Sequence, residues 1–111
     1  MDKGKHPKEH IIEITVEDGD FTYDTPIIWV DPGDIIKWEC TNHWPFAIHV
    51  GWDSPLKKGR FRSVNGDSIE TIVPDEARPG NYEYAIAVVD EKTREIWIDH
   101  PPFIVKRPPG G

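Results

Sequence analysis

Apolar and polar residues alternate one by one along most of the chain, and nowhere do apolar residues recur at the 3.6-residue spacing of a helix. In the stretch Ile36–Cys40, for example, Ile36, Trp38 and Cys40 alternate with charged residues. A period of two is typical of β-strands with one buried face. The pattern predicts strands over residues 12–16, 21–23, 26–30, 36–40, 46–52, 69–73, 82–88, 95–98 and 103–105. The strand over 82–88 is expected to be the longest, and the loop 53–67 is expected to contain at most one short strand.

Turn-forming residues separate these strands. The chain contains nine glycines and eleven prolines, and the cluster Asp31–Asp34 combines a proline, which fixes φ, with a glycine, which accepts a positive φ. Many short strands with frequent turns in 111 residues indicate one all-β domain, an antiparallel Greek-key β-sandwich of seven to nine strands. We expect the sandwich to span residues 11–106, between a flexible N-terminal arm at 1–10 and a flexible C-terminal tail at 107–111.

Charge and cysteine content narrow the function classes. Twenty Asp and Glu against thirteen Lys and Arg give a net charge of −7, which disfavours nucleic-acid binding. The single cysteine, Cys40, excludes an intrachain disulfide and any site built from several thiolates. The longest apolar run, Tyr84–Val89, is too short to span a membrane. One basic cluster, typical of a solvated loop, consists of Lys57, Lys58, Arg60 and Arg62.

The compartment stays open between two alternatives. Residues 1–10 are charged and are not followed by the apolar stretch of a signal peptide. A single cysteine is compatible with a reducing or an oxidising compartment. The protein is cytoplasmic if Met1 is the native start, and periplasmic or secreted if a leader has been removed.

Three segments resemble landmarks of the cupredoxin (plastocyanin-like) family, in the order in which that family carries them. Val30–Trp38 is similar to the family's Val-x-x-Gly-Asp-x-Ile-x-Trp/Phe strand entry. Asn42–Pro45 is similar to the segment before the first copper histidine, and Pro79–Tyr84 to the Pro-Gly-x-Tyr-x-Phe/Tyr strand. The resemblance covers roughly residues 10–106 and implies the fold of that family.

The same resemblance identifies the positions at which a type 1 copper site takes its ligands. Such a site needs two imidazoles, one thiolate and a weak axial thioether. The first histidine corresponds to Phe46, the cysteine to Ile86 and the second histidine to Val89. The axial methionine would fall in the loop Asp90–Arg94, whereas the only methionine of the chain is Met1. No ligand of a type 1 site is therefore present at these positions.

A second register would place His49 at the histidine position, but the strand pattern disfavours it. His49 alternates with the apolar Ile48 and Val50, so we expect its side chain to face solvent. We therefore expect a cupredoxin-like fold whose copper site has been replaced by hydrophobic packing, with no cofactor. The ligand loop would have become the turn of a hairpin between Tyr84–Val89 and Glu95–Ile98.

Cys40, His43 and His49 form an alternative metal site. A soft thiolate with imidazoles suits copper or zinc, and the Cys-x-x-His spacing places His43 just after the Cys40 strand. This alternative describes a metal-binding or electron-transfer protein. The simpler interpretation is that Cys40 is a buried, small apolar residue and that both histidines lie at the surface.

We expect recognition at one end of the sandwich, because loops on a rigid scaffold are where binding residues concentrate. This interaction surface comprises Asn42, His43, Trp44, Pro45 and Phe46, together with the hairpin tip Asp90–Arg94. It requires His43, Trp44 and Pro45 to be partly exposed. Trp44 is expected to be the most exposed of the five tryptophans and Trp38 and Trp52 to lie in the core, which disfavours a carbohydrate-binding surface of several aromatic rings.

No catalytic motif accompanies this surface. The carboxylates fall in turns, where they stabilise the backbone, and Cys40, for which His43 could act as a base, is expected to be buried. The sequence thus predicts a non-enzymatic binding or interaction domain that takes a protein or a small ligand. A second copy of the chain is one such partner, because the strand Pro26–Val30 could present a free edge.

Overall fold

The computed structural model of the protein describes residues 7–50, 56, 59–100 and 103–106. Within these ranges the chain forms strands and turns and no helix, and it therefore contains no helix long enough to cross a membrane. The strands are β1 (Glu9–Glu17), β2 (Asp20–Tyr23), β3 (Ile27–Val30), β4 (Ile35–Cys40), β5 (Phe46–His49), β6 (Arg60–Ser63), β7 (Ile69–Ile72), β8 (Gly80–Glu83), β9 (Ala85–Asp90), β10 (Glu95–Asp99) and β11 (Phe103–Lys106).

The predicted all-β class is confirmed, and several details differ. Eleven strands are described instead of seven to nine, and β1 begins at Glu9, two residues before the expected start of the sandwich. The predicted core position of Trp52, the basic residues Lys57 and Lys58 and the tail 107–111 lie outside the described residues.

The first sheet has the strand order β2-β1-β4-β7. The β1–β2 hairpin turns at Asp18 and Gly19, both with positive φ, which is typical of a two-residue type I′ turn. β1 and β4 pair in parallel, with Ile12 opposite Trp38 and Ile14 opposite Cys40. The sheets are therefore not antiparallel throughout, because the chain leaves the first sheet after β2 and returns to it with β4.

The remaining strands form a four-stranded sheet, β10-β9-β5-β6, and a three-stranded sheet, β3-β11-β8, in which β3 and β11 are parallel. The single strand predicted over residues 82–88 is wrong, since β8 ends at Glu83 and β9 begins at Ala85. β8 pairs with β11, whereas β9 pairs with β10 and β5. Buried side chains continue every second residue through Tyr84, Ile86 and Val88, so the sequence period contains no sign of the change of partner.

The sheets pack through one core formed by the inward positions of the strands. Ile12 and Ile14 of β1, Trp38 of β4 and Ile86 of β9 are all 1% exposed or less. The Trp38 ring contacts Tyr84 edge-on at a centroid distance of 5.9 Å, which joins β4 of the first sheet to the β8–β9 junction. This core holds β4, β5 and β9 in fixed positions, and the loops that follow β4 and β9 meet at one end of the sandwich.

Candidate functional site

The loop after β4 is held to the end of β1 by the side chain of Asn42. Its Oδ1 accepts a hydrogen bond from the Val16 amide at 2.9 Å, and its Nδ2 donates to the Val16 carbonyl at 3.0 Å. The next residue, His43, has a φ of 60° and donates its amide to the Cys40 carbonyl at 2.9 Å. These bonds fix a tight turn, in which the backbone carbonyl of His43 faces Gly66.

The tip of the β9–β10 hairpin is organised by Asp90. Its Oδ1 accepts hydrogen bonds from the amides of Lys92 at 2.9 Å and Thr93 at 3.2 Å, and its Oδ2 accepts one from the Trp97 indole at 3.2 Å. Burial alone would raise the pKa of Asp90, but these hydrogen bonds outweigh it and hold the pKa below its ordinary value. The ionised form of the carboxylate is therefore the one that these hydrogen bonds favour.

Trp97 and Asp99 connect the hairpin to the first sheet. The Trp97 ring lies against Gly19, where a Cβ would come within 3.1 Å of the indole. Two residues further along β10, Asp99 Oδ2 accepts a 2.6 Å hydrogen bond from the Tyr23 hydroxyl. Burial, together with this bond, raises the pKa of Tyr23. The Val89 amide also donates to the Pro45 carbonyl at 2.9 Å, so the hairpin is joined to the loop after β4 as well.

The end of β1 with its turn, the loop after β4 and the β9–β10 hairpin enclose a groove of about 560 Å³, which we call the end groove. It combines two partly buried tryptophan side chains with eight polar residues, of which four are acidic and one is basic. Its lining residues are Thr15, Val16, Glu17, Asp18, Asn42, Trp44, Asp90, Lys92, Thr93, Glu95 and Trp97. The groove therefore contains members of both segments that the sequence singled out.

The structure brings together only some of the predicted surface residues. Asn42 and Trp44 line the end groove, and Pro45 lies beside it, all three half-buried. His43 is exposed but points to a different concavity, and Phe46 is buried at 3% exposure. His43, Trp44 and Pro45 are thus at least partly exposed, as the predicted interaction surface requires.

The expected exposure of the tryptophans needs one correction. Trp38 is fully buried, as predicted. Trp44 is half-buried and packs against the core, whereas Trp29 on β3 is 54% exposed. Every residue of β3 is apolar, so the alternation gave no indication of which face Trp29 occupies.

Sequence reasoning missed the third wall of the groove, formed by Thr15–Asp18, as well as Glu95 and Trp97. The turn at Asp18-Gly19 is visible in the sequence as a hairpin signal. Its position beside Asn42 follows from the parallel pairing of β1 with β4, which no local pattern reveals.

The alternative metal site is not assembled. Cys40 is 2% exposed and its Sγ lies 3.9 Å from Asn42 Oδ1, while His49 is exposed at the far end of β5. Cys40 and His43 do line one concavity of about 390 Å³. Within the described ranges, however, no three His, Cys, Asp or Glu side chains are arranged to hold a metal ion.

Two of the three positions that the resemblance assigns to copper ligands are occupied by packed hydrocarbon. Phe46 and Ile86 lie on the adjacent strands β5 and β9, two pairs apart in the register, and are 3% and 0% exposed. Val89, three residues after Ile86, faces the other side of the sheet at 36% exposure. The segment that follows it is the closed turn of the predicted hairpin.

Solved structures confirm the fold. A purple cupredoxin from Nitrosopumilus maritimus matches with a TM-score of 0.54 and 15% identity over 87% of this chain and 98% of that one. A proline-to-phenylalanine mutant of amicyanin in its reduced state matches with a TM-score of 0.50 and 15% identity, over 87% of this chain and 82% of that one. No family model and no curated protein matches the sequence. The chain has the cupredoxin fold, and at this identity the likeness extends to the fold alone.

Proposed function

We propose that the protein is a non-enzymatic binding domain that uses the end groove of a cupredoxin fold without a type 1 copper centre. The observation that carries this proposal is the groove itself, which three separate segments build at the loop end of a rigid sandwich. A larger concavity of about 670 Å³, at the opposite end of β4, is lined by Gly33 and by one continuous segment, residues 70–76. A groove built by three separate segments is a stronger indication of a binding site than a concavity lined almost entirely by one segment.

The loss of the copper site is supported by the packing of its ligand positions. Phe46 and Ile86 contribute to the core and leave no donor atom where the fold's copper proteins need an imidazole and a thiolate. Catalysis by Cys40 is disfavoured because its thiol is buried. Among the described residues, the side-chain atom within hydrogen-bond reach of the thiol is Asn42 Oδ1, not an imidazole nitrogen.

The charge of the end groove favours a cationic ligand, which we take to be a lysine or arginine side chain of a partner protein. Glu17, Asp18 and Glu95 are exposed carboxylates on its rim, against the single cation Lys92. The groove also contains Trp44 and Trp97, and an aromatic face stabilises a guanidinium or ammonium group placed over it.

A peptide titration of the ¹⁵N-labelled protein tests this function. The probe is a short, unstructured peptide of Arg and Gly, and a peptide of Glu and Gly with the same length is the comparison. We expect the Arg peptide to shift amide resonances around Asn42, Trp44 and the Asp90–Trp97 hairpin, and the Glu peptide to shift none of them.

Two charge-matched variants separate groove binding from a net-charge effect. Glu17→Lys changes the groove rim, whereas Glu91→Lys makes the same charge change at an exposed hairpin residue that does not line the groove. Glu17→Lys should weaken peptide binding about threefold to fivefold, the range of an exposed ion pair. Equal weakening by both variants, or shifts scattered over the surface, would reject the end groove as the site.

A further inference from the structure

The strand β10 forms a free edge of its sheet. It pairs with β9 on one side, and no described strand pairs with its other side. A free edge exposes backbone N–H and C=O groups to which another extended chain can bond, and proteins ordinarily protect such edges with basic side chains or proline. β6, the opposite edge of the same sheet, carries Arg60 and Arg62. β10 contains neither a basic residue nor a proline, and its only charges are the carboxylates at its two ends.

The hydrogen bonds of β9 show which backbone groups of β10 are free. The Val89 amide donates to the Pro45 carbonyl at 2.9 Å, so the backbone of Val89 is directed towards β5. Ile96 lies opposite Val89 in the antiparallel register. This pair is therefore not hydrogen-bonded, and the N–H and C=O of Ile96 point away from β9. Ile98, two residues further along the strand, presents its N–H and C=O at the free edge in the same way.

The side chains of the same two isoleucines are exposed on the outer side of the sheet. Ile96 and Ile98 are 64% and 66% exposed, so each leaves most of its hydrocarbon in water. A strand added beside β10 would bond to their backbones and would also place its own side chains against theirs. Free main-chain groups next to contacts for alternate side chains are the features by which a sheet edge recognises an extended peptide.

The inner side of β10 borders the end groove and is acidic. Glu95 and Trp97 line the groove, and the neighbouring wall contributes Glu17 and Asp18. Residues directly opposite each other on paired strands have their side chains on the same face of the sheet. A residue opposite Glu95 on an added strand would therefore lie on the groove side, close to these carboxylates, where a cationic side chain is favoured.

The same charges disfavour a second copy of β10 as the added strand. The two-fold pairing that uses the whole strand is centred on Trp97 and places Glu95 of each copy opposite Asp99 of the other. Like charges directly opposite each other destabilise a strand pair. The complementary strand is therefore one that carries cations at these two positions.

We propose that the β10 edge binds an extended segment of a partner protein, which joins the sheet as an antiparallel strand. The segment carries aliphatic residues opposite Ile96 and Ile98 and a lysine or arginine opposite Glu95. Main-chain hydrogen bonds contribute affinity, and the alternating side chains contribute specificity. This inference rests on the proposed function, because it assigns the cationic side chain in the end groove to a β-strand of the partner.

N-methylated peptides test the strand pairing, since each methyl group removes one backbone donor and keeps the side chain. The probe is acetyl-Arg-Val-Thr-Val-Arg-amide, in which both valine N–H groups would bond to β10 and the threonine N–H would point away. Methylation of both valine nitrogens should weaken binding at least about tenfold. The matched control is methylated on the threonine and the second arginine, whose N–H groups also point away, and it should bind like the probe.

Hydrogen exchange of the ¹⁵N-labelled protein gives a second, residue-specific measurement. Binding of the probe should slow the exchange of the Ile96 and Ile98 amides. Ile72 is the matched control within the same molecule, because it is 60% exposed and lies on β7, an edge of the other sheet. The Val73 amide donates to the Asp34 carbonyl at 2.8 Å, so the Ile72 amide points to the free edge of β7. Its exchange should not change.

Matched variants test the apolar contacts of the same edge. Ile96→Thr/Ile98→Thr should weaken binding of the probe at least about threefold, whereas Ile72→Thr should leave it unchanged. Near-UV circular dichroism of each variant verifies that the sandwich is folded, which the high exposure of the substituted side chains leads us to expect.

Equal affinities of the two methylated peptides would overturn the strand pairing, and so would unchanged exchange at Ile96 and Ile98 in the peptide-bound protein. Slowed exchange at these amides in concentrated protein without peptide would also overturn it, by assigning the edge to a second copy. Failure of the end groove gives a different result. Weakening by Glu17→Lys without an effect of valine methylation would reject the strand and retain the groove, whereas the opposite result would reject the groove.

Discussion

Gly66 lies against the loop that follows β4, in a contact that only glycine allows. Its φ is +79°, and a Cβ at this position would overlap the carbonyl group of His43, in the loop that also carries Asn42 and Trp44. We expect Gly66→Ala to lower the free energy of unfolding by about 2 kcal/mol or more, because both the backbone angle and the overlap are unfavourable. Urea denaturation monitored by tryptophan fluorescence measures this change.

Gly33→Ala isolates the contribution of the backbone angle. Gly33 has a φ of +89°, but no atom lies within 4 Å of a Cβ built there. This substitution should lower the free energy of unfolding by only about 1 kcal/mol, the usual value for a left-handed alanine. Equal losses for the two variants would show that the contact with His43 adds nothing.

The burial of single residues was predictable wherever polar and apolar residues alternate. Trp38, Cys40 and His49 lie on the faces that the period of two assigns to them. Trp29 was not predictable in this way, since its neighbours Ile28 and Val30 are apolar too and only the partner strands determine its face. The period of two predicts which face a side chain occupies only where apolar residues alternate with polar ones.

At the scale of elements, the β9–β10 hairpin should depend on the ionised state of Asp90. Asp90→Asn keeps one oxygen for the turn amides but cannot accept all three hydrogen bonds, so we expect a lower thermal midpoint. The pKa of Asp90 lies below its ordinary value of 3.8 in the folded protein. Its contribution to stability is therefore complete above about pH 4 and is lost as the pH falls below that value.

Thermal melts between pH 6 and pH 3 test the hairpin prediction. The wild type should lose more of its thermal midpoint on acidification than Asp90→Asn does, while Asp34, the other carboxylate with a lowered pKa, is present in both proteins. Glu91→Gln removes the same charge from an exposed neighbour and should behave like the wild type. A parallel pH dependence of Asp90→Asn and the wild type would show that the carboxylate does not hold the turn.

The elements themselves follow from the sequence better than their partners do. The hairpin of β9 with β10 was predicted because its strands are close in the chain and separated by a turn. The division between β8 and β9, and the parallel pairing of β1 with β4, involve strands from distant parts of the chain. This is why the loop after β4 and the hairpin tip were predicted as a site while Thr15–Asp18 was not.

At the scale of the whole molecule, the net charge of −7 is unevenly arranged over two surfaces. The end groove contains four carboxylates and one cation beside two tryptophans. The paired strands β5 and β6 carry instead the exposed basic residues Arg60 and Arg62, next to His49. We therefore expect a cationic ligand to bind the end groove and not the β5–β6 side of the sandwich.

The central claim is that the cupredoxin fold is retained here without a type 1 copper centre, and addition of Cu(II) to the purified, reduced chain tests it most directly. We predict no intense thiolate-to-copper absorption band in the visible range and no stoichiometric binding, with the same result for Cys40→Ala. The reason is that the resemblance assigns the ligand positions to Phe46, Ile86 and Val89, none of which carries a donor atom in its side chain. One tightly bound copper per chain, with a visible band that Cys40→Ala abolishes, would contradict the account.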